Sequence, residues 1–129
     1  MVLLFVGLMI PDQLELNEPG EFYHLVAEDE SGQRYIKVAE NPFIASLVSV
    51  HVRPLPDGSS VSVVNIRYNC DLMNLRVVSG RAFGAEGNVL SYYSSEQWYS
   101  PDPEGLDGIS LVRLCDGSYV LGEERRFEL

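Results

Sequence analysis

Histidine and cysteine are scarce in this 129-residue chain, with two of each, and basic side chains are few: nine Lys and Arg against nineteen Asp and Glu. Each scarcity excludes something. Isolated cysteines and histidines, with no close Cys pair and no His pair on one helix face, supply no ligand set for zinc. A net charge of -10, with basic residues scattered singly apart from Arg125-Arg126, argues against direct binding to a nucleic-acid backbone, which needs cations to displace counterions. The imbalance is steepest at the start, where seven carboxylates precede Arg34, the first basic residue. Such acidity favours solubility; it also suits docking on a basic partner, or imitating nucleic acid to block a basic groove.

Long apolar runs are missing too. Val2 to Ile10 is only nine residues, against the ~20 that a membrane-spanning helix requires, so no membrane span is expected. The run also lacks the basic flank and small-residue cleavage site of a secretory signal. It reads either as the remnant of a signal or as a packed strand, and the packed strand is the expectation taken here. An edge strand of this kind can also swap into a second copy, which makes a dimer the oligomer to consider.

No linker, repeat or low-complexity tract divides the chain, so residues 1–129 read as one domain, with an apolar segment and turn over 1–21. From there, period-two alternation dominates. Phe22 to Ala27 and Arg34 to Val38, separated by Glu30-Ser31-Gly32-Gln33, read as a hairpin. Val48, Val50 and Val52 alternate with Ser49, His51 and Arg53, placing three valines on the core face. After Pro54-Leu55-Pro56-Asp57-Gly58, a further strand puts Val64, Ile66, Tyr68 and Cys70 on one side. Leu75, Val77 and Phe83 share the parity of the next, and Gly84 to Asn88 turns it into Val89 to Tyr93. Ser100-Pro101-Asp102-Pro103 stops the pattern, and Pro103-Glu104 can open a helix. Residues 105–121 remain ambiguous: Leu111, Leu114 and Cys115 have helical spacing, yet two apolar runs around Asp116-Gly117 suit a hairpin slightly better.

No catalytic residue stands out. Neither His24, on the strand face of Phe22 and Val26, nor His51, on the polar face opposite the valines, has the surroundings of a base. No nucleophile elbow or phosphate-binding glycine motif accompanies them, and no cofactor is implied. Cys70 and Cys115, far apart in the chain, form either one covalent staple of an exported protein or two reduced thiols of a cytoplasmic one. Tyr92, Tyr93, Trp98 and Tyr99 are the densest aromatic patch and the candidate binding residues, since partly exposed aromatics anchor interfaces. Gly122 to Leu129 reads as a solvated terminal strand or arm.

One resemblance spans about Phe22 to Cys115. Its marks are the aromatic strand pair Phe22-Tyr23 and Tyr35, the valine strand, Tyr68-Asn69-Cys70, Leu75-Arg76-Val77-Val78-Ser79-Gly80-Arg81-Ala82-Phe83, Gly87-Asn88-Val89, Trp98, and Leu111-Val112-Arg113-Leu114-Cys115. In their order these resemble the surface-adhesin protein E-like family of small bacterial envelope proteins. The resemblance implies an α+β fold, mainly antiparallel sheet, with one helix near residues 104–115 packed on it and tied by a Cys70–Cys115 disulfide. It divides the chain into the apolar start (1–21), a family-like core (22–115) and a C-terminal extension (116–129). It implies a non-enzymatic, envelope, periplasmic or secreted protein that binds a protein or extracellular-matrix ligand. The different reading left by the charge is an acidic inhibitor or immunity-type protein that occludes a basic site on a toxin or nucleic-acid enzyme.

Overall fold

The computed structural model describes residues 22–41, 43–95 and 97–127; the expected packing of Val2 to Ile10 lies outside the described residues. Seven strands are present: β1 (Phe22–Asp29), β2 (Gly32–Val38), β3 (Ile44–His51), β4 (Val61–Asn69), β5 (Asn74–Phe83), β6 (Val89–Tyr93) and β7 (Glu124–Arg126). They form one antiparallel sheet in the order β6-β5-β4-β3-β2-β1-β7. The first six run as a meander because each apolar alternation ends in a short turn. The chain then leaves the β6 edge, crosses one face as helix α1 (Leu106–Cys115), passes through a 3₁₀ turn (Ser118–Leu121) and returns as β7 beside β1.

Helix α1 replaces the hairpin that the pattern over 105–121 slightly favoured. A run this short satisfies either period, and packing decides. As a helix it buries Leu106 and packs Leu111 and Leu114 on the sheet with Val26, Ile36, Ala45, Leu47, Ile66 and Leu75. Each such leucine contributes about 1.5–3 kcal/mol when removed from water. Arg113, in the last turn, donates to the Val26 carbonyl at 3.3 Å and to the Ser118 carbonyl at 3.2 Å, fixing the helix end to β1 and to the next turn. Cys70, just past β4, is bonded to Cys115 at the end of α1, with Cα atoms 5.6 Å apart. The staple is thus formed, and it ties the helix to the sheet. None of the described helices is long and apolar enough to cross a membrane.

The opposite face carries a second cluster: Tyr23, Tyr35, Val48, Val63, Phe83 and Phe127. Three expectations need correction here. Val52 is two-thirds exposed, because β3 ends at His51 and the chain turns away before the third valine. Phe83 lies across the sheet from Leu75 and Val77 despite equal parity: Asn65 pairs with Ser79 and Ile66 with Val77, so Val78 is an extra residue that reverses the faces. The tail is only partly a solvated strand, since β7 pairs with β1 and Phe127 is buried edge-on against Tyr23 and Tyr35.

Candidate functional site

The disulfide end of the sheet is built from two tight loops. After β2, the Ala39 N–H donates to the Ile44 carbonyl, and the enclosed turn holds Phe43 at φ 67°. After β4, residues 70–73 turn back into β5, with the Leu72 N–H donating to Asn69 Oδ1 at 3.0 Å and Met73 at φ 51°. These are the two non-glycine residues in left-handed backbone among those described. That region is unfavourable for a bulky side chain and persists only where the surroundings impose it.

Between the loops lies a hollow of about 330 Å³ lined by Phe43, Tyr68, Asn69, Cys70, Asp71 and Trp98. Phe43 is 56% exposed and Trp98 44%, and the Phe43 and Tyr68 rings meet edge-on with centroids 5.8 Å apart. Tyr68 is half-buried against the helix-side core, and burial raises its phenol above the usual range. The hollow therefore has aromatic walls, polar groups at Asn69 and Asp71, and the disulfide-bonded Cys70 in its lining.

A second cleft, about 490 Å³, opens at the start of α1 between Arg34, Tyr99 and Asp107. Arg34 Nε donates to Asp107 at 3.1 Å. Burial, then the Asp107 charge, pushes the Tyr99 phenol up; the Arg34 cation opposes them. His51 lies within electrostatic reach of Arg34 and Asp57 and is held below its usual value, first by burial and then by Arg34. Its Nε2 is buried without a hydrogen-bond partner, because the polar face opposite the valines turns toward the helix side of the sheet. His24 is satisfied, its Nδ1 lying 3.1 Å from the Gly122 carbonyl. Among the described residues, no three His, Cys, Asp or Glu gather as metal ligands.

The four aromatics proposed from sequence do not form one patch. Tyr99 exchanges both backbone hydrogen bonds with Leu75, so the chain there is extended and neighbouring side chains diverge. Trp98 consequently lines the hollow, while Tyr99 lines the cleft. Tyr92 and Tyr93 diverge in the same way along β6. Tyr92 stands beside Arg81, Asn65 and Ser79 on the face opposite α1, and Tyr93 covers Gly80 and bonds Ser62. Phe43 and Tyr68, which complete the hollow with Trp98, escaped the sequence reading. The available signal was an aromatic residue directly after an Asn-Pro turn, at Asn41-Pro42-Phe43.

No family model, no curated protein and no solved structure matches this chain.

Proposed function

We propose that this is a non-enzymatic binding protein, a small bacterial envelope or secreted protein of the surface-adhesin type, and that it recognises a protein or matrix ligand through the aromatic hollow at its disulfide end. The observation that carries this reading is Phe43: a bulky residue kept in a costly backbone conformation with more than half of its surface in water. Within the fold the arrangement is rewarded by the edge-on contact with Tyr68 and by a backbone hydrogen bond from the Tyr68 N–H to the Phe43 carbonyl; the exposed half of the ring is left for a ligand seated between Phe43 and Trp98. Supporting it, Cys70, which lines the hollow, is bonded to Cys115, and such a bond fits an oxidising, extracytoplasmic compartment. Rigid walls reduce the ordering cost of association.

The test is solid-phase binding of the oxidised protein to immobilised extracellular-matrix and serum proteins, with Phe43→Ala and Trp98→Ala alongside. The reading expects saturable binding by the wild type that both variants weaken at least tenfold while circular dichroism stays unchanged. Binding that both variants retain would place the contact elsewhere, and no saturable binding to any of these ligands would reject the adhesin reading.

A further inference from the structure

A different surface, on the sheet face opposite α1, carries chemistry that the proposed function does not use. Residues directly opposed in an antiparallel pair share a face, and so do residues two apart on one strand. The register therefore sets three cross-strand rows side by side on that face: Tyr35, Val48, Val63, Arg81 and Tyr92; then Lys37, Ser46, Asn65 and Ser79; then Ile44, Arg67 and Arg76. Four of the chain's nine basic residues fall in these rows, and no carboxylate does. In a chain of net charge -10, this is a local inversion of sign.

Arg67 and Arg76 oppose each other directly. Like charges in that relation repel, and a sheet normally separates or neutralises them. Among the described residues, neither arginine has a carboxylate within ion-pair distance, and the Nε of Arg76 is buried with no hydrogen-bond partner. The neighbouring row is rigid and polar: Ser46 donates to Asn65 Oδ1 at 2.8 Å, and Asn65 Nδ2 donates to Ser79 at 3.0 Å. Two guanidinium forks without a counter-ion among the described residues, on strands that also carry a fixed hydrogen-bonding row, match the requirements of an oxyanion, which accepts several N–H bonds at once.

We infer that the Arg67–Arg76 pair is a binding site for a compact oxyanion group: a sulfate, phosphate or carboxylate. A bound anion would cancel the repulsion between the two guanidiniums and, as the Arg76 side chain turns toward it, give the buried Nε–H a partner. The compactness follows from charge. A long polyanion would meet the acidic remainder of the molecule, whereas a single group is attracted locally.

The test uses the full oxidised chain at constant ionic strength, with chloride exchanged for sulfate, phosphate, acetate or a sulfated disaccharide, which distinguishes the sources of the group. Binding is read from the Arg Nε–H NMR resonances. The expected result is a saturable shift of the Arg76 Nε–H signal with at least one oxyanion, weakened tenfold or more in Arg67→Gln. The same variant should be no less heat-stable than wild type in chloride, because it loses a repulsion. If no oxyanion moves the Arg76 signal, or the response is equal in Arg67→Gln, the inference is overturned. Should Arg67→Gln prove markedly less stable in chloride, the pair is structural and the inference also fails.

Discussion

Breaking the Cys70–Cys115 bond should weaken the fold by an amount that the loop length sets. The bond closes 45 residues, and on the chain-entropy account a loop of that size restrains the unfolded chain by about 4 kcal/mol at 25 °C. For a domain of this size that corresponds to a fall in Tm of roughly 15 °C. The helix should nevertheless stay docked. Leu111 and Leu114 remain buried without the bond, and Arg34 still holds Asp107 at the other end of α1. Guanidinium unfolding of wild type and of Cys70→Ser/Cys115→Ser, followed through Trp98 beside the bond and by far-UV circular dichroism, measures the difference. The expected picture is one cooperative transition in both proteins, displaced by about 4 kcal/mol. A difference under about 1 kcal/mol would refute the entropic argument. Loss of the helical signal before the main transition would refute the claim that packing holds α1 in place.

The remaining predictions follow from local geometry. Gly108→Ala lies inside a helix, where propensity alone predicts a gain of about 1 kcal/mol; here the added methyl would sit 2.8 Å from Pro103 Cα and against the Asp102 carbonyl. Overpacking costs about 1–3 kcal/mol and should win, so thermal denaturation is expected to show a lower Tm. Phe43→Gly removes left-handed strain of about 1–2 kcal/mol but adds about 0.5–1 kcal/mol of glycine entropy and loses the edge-on contact with Tyr68, about 0.5–1.5 kcal/mol, so its Tm should stay within a few degrees of that of wild type while binding at the hollow is lost. His51 titrates below its usual 6.5 in the folded state, so the unfolded chain binds more protons as the pH falls through that value. Stability from this group is therefore complete above about pH 6.5 and declines below it, down to the folded value. Urea midpoints between pH 7.5 and 5 should fall less steeply in His51→Gln than in wild type.

The opening hairpin of β1 and β2, the alternation of β3 as far as His51 and of β4, and the turn before β6 are legible in the sequence, because strand periodicity and turn chemistry are local properties. The site is less so. Trp98 is visible as a candidate, yet its partners Phe43 and Tyr68 come from a different turn and a different strand, and only the meander brings the β2–β3 and β4–β5 loops to the same end of the sheet. Grouping Trp98 with Tyr99 and Tyr92 with Tyr93 fails for a simple reason: neighbours in an extended chain point apart.

Sequence alone thus determined a β-rich chain, its acidic balance, the principal strand faces and the two sulfur atoms available for a crosslink. Tertiary structure decided whether residues 105–121 became helix or hairpin, since a short apolar run fits both periods and the sheet selects the one whose leucines it can bury. It also decided the side of Phe83 and the meeting of Arg67 with Arg76. A single extra residue at Val78 reverses parity, and register between strands depends on pairings that no local pattern encodes.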